Sequence, residues 1–121
     1  MPNRETVAQF TAQVLSGDHA GAIADWYGED ATMQEKQGEP CRGREVLIGQ
    51  EQAALDRMER VETELLAPPV IDGNTAVLRW PFTFHPKAGG QRSMEEVAWQ
   101  TWRRDPIAAE TFFYDPAQMK G

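Results

Sequence analysis

The strongest constraint on the fold is a period-two alternation of apolar residues in the second half of the chain. Apolar side chains occupy every second position from Thr75 to His85, and both alternating sets are largely apolar from Arg92 to Arg104. Such a period puts alternate side chains on opposite faces of a β-strand. Gly89-Gly90 lies between the two runs and is typical of a hairpin loop. The pattern therefore predicts two long paired strands, of which the second is central or covered on both faces.

Helical periodicity characterises the first half of the chain. Apolar residues at positions i, i+3, i+7 and i+8 predict a helix from Arg4 to Ser16. Asn3 is its predicted N-cap, and Gly17 is expected to end it. Two more helices are predicted, from Ala20 to Tyr27 and from Arg44 to about Arg60.

Shorter extended segments complete the predicted fold: Ala31–Glu35, Val61–Leu66, Val70–Ile71 and Ile107–Tyr114. Pro81 lies within the longest strand, where it has no N–H to donate, so a bulge or an unpaired edge is expected there. Because helices come first and strands joined by hairpins follow, the order predicts an α+β fold. Helices would cover one face of an antiparallel sheet.

The length and charge of the chain limit its classes of function. With 121 residues, a single domain spanning residues 1–121 is expected. Twelve Lys and Arg against 19 Asp and Glu give a formal charge of −7, which disfavours nucleic-acid binding. The one cysteine cannot form an intrachain disulfide, and no apolar run reaches the roughly 18 residues of a membrane helix. We therefore expect a cytoplasmic protein with neither nucleic-acid nor membrane partners.

Three segments carry a family resemblance: S-G-D-H-A-G-A-I-A-D-W-Y-G-E-D-A-T-M-Q-E, P-C-R-G-R-E and T-W-R-R-D-P-I-A-A-E-T-F-F-Y-D-P. They resemble the nuclear-transport-factor-2-like superfamily, and within it the SnoaL-like and ketosteroid-isomerase-like proteins. The resemblance covers nearly the whole chain, although Pro106 lies where a Gly-Lys pair is usual. It implies a cone-shaped α+β barrel, in which a curved antiparallel sheet wraps three N-terminal helices around a hydrophobic pocket.

The resemblance also implies positions for catalytic groups. Ketosteroid isomerases use a carboxylate base at the end of the first strand, with a tyrosine and a protonated aspartic acid as oxyanion donors. The base position falls on Glu35. The tyrosine position falls on Phe10, which has no hydroxyl. The aspartic acid position falls near Ala98, with Glu96 and Gln100 as alternatives.

Aromatic side chains are the candidates for gripping a small apolar molecule, and the alternative is that they form the core and a dimer interface. The substrate-binding candidates are Phe10, Trp26, Trp80, Phe82, Glu96, Ala98, Gln100 and Trp102. Both faces of the late strands are aromatic, so a monomer would expose one of them. We therefore expect a homodimer through the outer face of the sheet.

Acidic residues recur along the strands and could in principle bind a cation. The spacing of His and Cys supports no transition-metal site, and no acidic loop matches a calcium motif. We expect no metal and no cofactor, and we expect solvent-facing side chains for Glu62, Glu64, Glu95, Glu96 and Glu110. His19 and His85 are likewise expected in solvent or at a rim.

Three functional hypotheses follow. The first is a cofactor-free isomerase, cyclase or lyase with Glu35 as general base on a small apolar substrate. The second is a non-catalytic ligand-binding or interaction module of the same fold, and the third is a dimerisation domain with a filled pocket. Losing one oxyanion donor typically costs about 2.7–4 kcal/mol of transition-state stabilisation, so Phe10 argues against steroid isomerisation. A solvated Glu35 would argue against the first hypothesis.

Overall fold

The structure is a computed structural model that describes residues 2–119. Its helices are α1 (Arg4–Leu15), α2 (His19–Trp26) and α3 (Arg44–Asp56). Its strands are β1 (Tyr27–Glu35), β2 (Cys41–Arg42), β3 (Met58–Thr63), β4 (Val70–Asp72), β5 (Thr75–Pro86), β6 (Arg92–Trp102) and β7 (Ile107–Phe113). A 3₁₀ turn, Pro116–Met119, follows the last strand. Within the described residues, no helix is long and apolar enough to cross a membrane.

The starts of the first two helices follow local capping chemistry. The Asn3 side chain accepts a hydrogen bond from the Thr6 N–H at 2.7 Å, which confirms the predicted cap. Asp18 caps α2 in the same way, accepting from the Gly21 N–H at 3.1 Å. Between these helices the backbone turns at Gly17, whose φ of 94° lies in the region that glycine adopts without strain.

Strand pairing explains why two of the predicted helices end earlier than expected. Tyr27 was expected to end a helix, but it begins β1, where it is extended and pairs with Ile107 of β7. The third helix was expected to reach about Arg60, but it ends at Asp56. Met58 instead begins β3, in register with Pro86 of β5. In each case a partner distant in sequence overrides the local helical pattern.

The strands form one mixed sheet in the order β2-β1-β7-β6-β5-β3, with β4 also paired to β5. The β5–β6 and β6–β7 pairs are antiparallel, as the hairpin connections predict, and β6 is central. The β1–β7 pair is parallel, which corrects the expectation of a wholly antiparallel sheet. The prediction was wrong here because β1 and β7 are far apart in the chain, and only adjacent strands have their direction set by a hairpin.

Pro81 lies where one neighbour of β5 changes. Its carbonyl accepts from the Glu64 N–H at 3.0 Å, so its ring nitrogen also faces that side and not β6. There β5 has passed β4, which pairs with it as far as Val77, and has not yet reached β3, whose pairing begins at Phe82. The pairing with β6 runs through Pro81 without a register shift, so the proline causes no bulge, and its ring nitrogen lies on the edge between β4 and β3.

The inner face of the curled sheet packs against the helices and forms the core. Ala76, Leu78 and Trp80 of β5 are buried, as their alternation predicts. Phe10 of α1 packs between the first and sixth strands, with ring centroids 6.3 Å from Tyr27 and 6.1 Å from Trp102. This packing closes one end of the cone and leaves the other end open.

The outer face of the sheet carries an exposed apolar patch. Trp99 is 50% exposed, and it lies in register with Val77 of β5. Val70, which is 64% exposed, pairs with Val77 on the far side, while Val97 pairs with Phe113. These five neighbouring side chains, here called the outer patch, are the surface through which the homodimer is predicted.

Candidate active site

A cavity of about 420 Å³ opens between the inner sheet face and the helices. Its apolar wall includes Ile23, Met33, Leu55, Met94 and Phe112. Its titratable lining comprises His19, Tyr27, Glu35, Glu51, Arg57, Arg92, Glu96, Glu110 and Tyr114. The cavity therefore combines an apolar body with several acidic groups. We call the buried part around Tyr27 and Glu110 the closed end, and the part lined by exposed side chains the mouth.

Five of the candidates named from the sequence line this cavity: Phe10, Glu35, Trp80, Phe82 and Glu96. They come from four different elements, α1, β1, β5 and β6, and the curl of the sheet brings them together. Their predicted roles in binding or catalysis stay predictions.

Four other candidates do not line this cavity. The Trp26 indole points to α1 and donates to Gln13 at 2.9 Å. Ala98 and Gln100 are fully buried in the sheet beyond the closed end, and so is Trp102. These β6 residues were therefore assigned to the correct face of the sheet. Phe10 and the neighbouring core cover that part of the face, so it is not open to the cavity.

Glu96 is a buried acidic group that faces the cavity. It is only 9% exposed and lies in register with Trp80, which corrects its expected solvent-facing position. Among residues 2–119 no group forms a hydrogen bond with its carboxyl. Burial, followed by the nearby charges of Glu110, Glu35 and Glu51, raises the Glu96 pKa to about 8. At neutral pH this side chain is largely a neutral acid, and it can donate a hydrogen bond.

Glu110 is also buried, at 2% exposed, but both of its oxygens are occupied. The Tyr27 hydroxyl donates to Oε1, and the Gln100 amide donates to Oε2 at 2.7 Å. The Trp102 indole in turn donates to the side-chain amide oxygen of Gln100 at 3.0 Å. Burial raises the Glu110 pKa to about 7 although both hydrogen bonds lower it. The solvent-facing expectation is therefore wrong for Glu110 as well.

Glu35 lies at the mouth, at the end of β1, where the resemblance places the base. Its side chain is exposed, and the Tyr114 hydroxyl donates to Oε2 at 2.9 Å. Burial, the hydrogen bond and the charge of Glu35 raise the Tyr114 pKa to about 12, so the tyrosine stays a donor at neutral pH. Glu35 is close enough to Glu96 to contribute to its raised pKa.

His19 and Glu51 form a second polar contact on the helical wall, and the expectation of a solvated His19 is wrong. His19 Nε2 lies 3.0 Å from the Thr63 hydroxyl, and Nδ1 lies 3.8 Å from Glu51. Burial lowers the His19 pKa and raises that of Glu51. Both shifts have the same cause, since burial disfavours the charged form of each group.

The period-two pattern of the last strand could have revealed Glu110. Glu110, Phe112 and Tyr114 alternate, and all three line the cavity. No comparable pattern indicated Tyr27. It directly follows the residues of α2, so the sequence predicted a helix at this position and not the start of β1. Within the described part of the chain, no group of three or more His, Cys, Asp or Glu side chains could hold a metal ion.

The sequence model of the SnoaL-like domain matches residues 7–110. The chain belongs to the SnoaL-like family. A search of curated proteins found no match.

Solved structures share this SnoaL-like architecture. A candidate SnoaL-like polyketide cyclase from Mesorhizobium loti has 28% identity and a TM-score of 0.79, over 94% of this chain and 100% of its own. A Catenulispora acidiphila protein with a ketosteroid-isomerase-like fold, in complex with trimethylamine, has 16% identity and a TM-score of 0.76, over 90% and 85%. TerC co-crystallised with polyporic acid has 12% identity and a TM-score of 0.79, over 98% and 95%. The last two likenesses show the fold, the nuclear-transport-factor-2-like α+β cone that was predicted.

This SnoaL-like cavity differs from the ketosteroid-isomerase pattern in the placement of its polar groups. Phe10 lines the cavity wall but has no hydroxyl. The adjacent Tyr27 has one, but it donates its hydrogen bond to Glu110. On β6 the acid that faces the cavity is Glu96, two residues before Ala98, where the aspartic acid was expected. The arrangement thus offers one free acid in the interior and one carboxyl group at the mouth.

Proposed function

We propose that this SnoaL-like protein is a cofactor-free proton-transfer enzyme of the isomerase, cyclase or lyase type, which acts on a small apolar carbonyl compound. The observation that carries the proposal is the carboxyl of Glu96. It is buried in an aromatic cavity and has no hydrogen-bond partner among the described residues. Its oxygens are not fully enclosed by protein atoms and face the open space of the cavity, where a ligand oxygen can reach them.

Glu96 acts as the hydrogen-bond donor to the carbonyl oxygen. As a C–H bond next to the carbonyl breaks, its electron pair moves into the enolate and negative charge develops on that oxygen. A preorganised donor at this point is worth about 2.7–4 kcal/mol in comparable enzymes. The raised pKa of Glu96, about 8, keeps the donor protonated at neutral pH.

Glu35 takes the proton as general base from the mouth of the cavity. Returning that proton to a different carbon completes an isomerisation. In a cyclisation the enolate carbon attacks a second carbonyl of the same molecule, and Glu35 returns the proton to the alkoxide that forms. The Tyr114 hydroxyl orients the Glu35 carboxylate through its 2.9 Å hydrogen bond. Both steps use only groups that line the cavity.

Similar proteins support a small-molecule ligand. TerC was co-crystallised with polyporic acid, and the Catenulispora acidiphila protein is in complex with trimethylamine. The Mesorhizobium loti protein is named as a candidate polyketide cyclase. These names support a small organic ligand for the present cavity, whose volume of about 420 Å³ is within the range of ligand pockets.

The second candidate function is a ligand-binding module without chemistry. The observation in its favour is the exposure of Glu35, since water competes with a substrate for an exposed carboxylate. Binding would then use the same aromatic wall and the same Glu96 donor.

Deuterium exchange separates the two candidates without knowledge of the natural substrate. The probe is 2-acetylnaphthalene in D₂O, with incorporation of deuterium into its methyl group followed by NMR. We expect exchange with the wild type, a loss with Glu35→Gln, and no change with the control Glu29→Gln, an exposed glutamate on the same strand. Thermal shift reports binding independently, because a ligand at about 100 times its Kd adds about 2.7 kcal/mol of stability. Binding of the probe without deuterium exchange would overturn the enzyme proposal and favour the binding module.

A further inference from the structure

Two arginines at the mouth of the cavity have no counter-ion among the residues that the structure describes. Arg57 is the C-cap residue of α3, and Arg92 is the first residue of β6. Both line the cavity, and within residues 2–119 neither side chain forms an ion pair or a hydrogen bond. By contrast, Arg79 outside the cavity pairs with Glu95.

The two arginines flank the same end of β5. Arg92 lies in register with Phe84 on one side of that strand. On the other side, the Arg57 carbonyl accepts from the Lys87 N–H at 3.0 Å, just beyond Pro86. An anion held between Arg57 and Arg92 would therefore sit over the last residues of β5.

Two acidic groups deeper in the cavity would orient such an anion. Glu96 lies four residues along β6 from Arg92, so their backbones are about 13 Å apart on one face of the strand. Glu110 lies deeper still, which makes the interior unfavourable for a negative group. Between the two ends runs a ladder of stacked rings, Trp80, Phe82 and Phe84, with centroid separations of 6.3 and 5.7 Å.

We propose that Arg57 and Arg92 form an anion-binding subsite, and that the substrate is an elongated apolar carbonyl compound with a carboxylate at its far end. The carboxylate binds at the mouth, the apolar body lies along the aromatic ladder, and the carbonyl oxygen reaches Glu96. This substrate class rests on the proposed function, because it uses Glu96 as the group that receives the carbonyl.

A matched pair of probes tests the subsite: 6-acetyl-2-naphthoate and its uncharged methyl ester. Isothermal titration calorimetry should show that the wild type binds the carboxylate more tightly than the ester. Arg57→Gln and Arg92→Gln should each weaken carboxylate binding by about two- to fivefold, the range for a partly exposed ion pair, and leave ester binding unchanged. The control Arg79→Gln should change neither. At about 1 M salt, where the Debye length falls to about 3 Å, the preference for the carboxylate should disappear.

The outcomes separate this inference from the proposed function. Equal binding of acid and ester by the wild type, or equal losses for both ligands in the arginine variants, would overturn the anion subsite. Deuterium exchange into the acetyl group of the ester would still support proton transfer in that case. A carboxylate preference that depends on Arg57 and Arg92, but without exchange, would support the subsite while overturning the enzyme.

Discussion

The Tyr27 hydroxyl donates a hydrogen bond to Oε1 of Glu110 and so joins the first strand of the sheet to the last. The two residues are 83 positions apart in sequence, and both are buried. Glu110 therefore has partners that offset part of its burial, whereas Glu96 in the same cavity has none among the described residues. Two glutamates of one site thus have different roles, since Glu110 stabilises the closed end and Glu96 remains free for a ligand.

Replacing Tyr27 by Phe should lower the free energy of unfolding by about 1–3 kcal/mol, because it leaves a buried carboxyl oxygen without its donor. The pKa of Glu110 should rise further, since the Tyr27 hydrogen bond lowers it. Urea denaturation and ¹³C NMR of labelled glutamate measure the two effects. Tyr114→Phe is the matched control, because its partner Glu35 is exposed and is solvated by water instead. A Tyr27→Phe protein as stable as the wild type would contradict this account.

Stability should fall as the pH rises from about 4.5 to about 8. The pKa values of Glu96 and Glu110 are raised from 4.5 to about 8 and about 7, so the folded chain holds these protons to higher pH than the unfolded chain. Each group that stays protonated only in the folded state contributes a slope of roughly 1.4 kcal/mol per pH unit. Urea denaturation across this range measures the slope, which Glu96→Gln should reduce. An unchanged slope in that variant would show that Glu96 does not titrate as described.

Apolar replacement of the two buried acids should have opposite effects on stability. Glu96→Leu should stabilise the protein at pH 8 by about 1–3 kcal/mol, since it removes an unpartnered polar group from an apolar cavity. Glu110→Leu should destabilise it, because the Tyr27 hydroxyl and the Gln100 amide lose their acceptor. Chemical denaturation gives both values, and the deuterium exchange of 2-acetylnaphthalene should be lost in Glu96→Leu. Destabilisation by Glu96→Leu would indicate a structural use of this carboxyl.

The outer patch should hold two copies of the chain together. We expect the wild type to be a dimer at micromolar concentration and Trp99→Lys to be a monomer, because a charge in the patch would have to be buried without a partner. Size-exclusion chromatography with light scattering measures the mass. Val46→Lys is the control, since Val46 is 51% exposed on α3, outside the patch. A monomeric wild type would contradict the prediction that the outer patch is a dimer interface.

Neighbouring glutamates in one strand show the limit of prediction from sequence. Glu95 and Glu96 are identical in type and adjacent, yet Glu95 pairs with Arg79 in solvent while Glu96 is buried beside Trp80. Alternation assigns the two to opposite faces, but it does not say which face the helices cover or where the covering ends. For the same reason, Ala98 was placed on the correct face and still lies outside the cavity.

The sequence by itself determined the features that depend on a few neighbouring residues. The caps at Asn3 and Asp18 are local hydrogen bonds, and the inner face of β5 follows from alternation within that strand. The tertiary structure alone decided that Tyr27 begins a strand parallel to β7, and that Glu96 holds its proton to about pH 8. Pairing direction and pKa depend on groups brought together from distant parts of the chain, and no local pattern records which groups will meet.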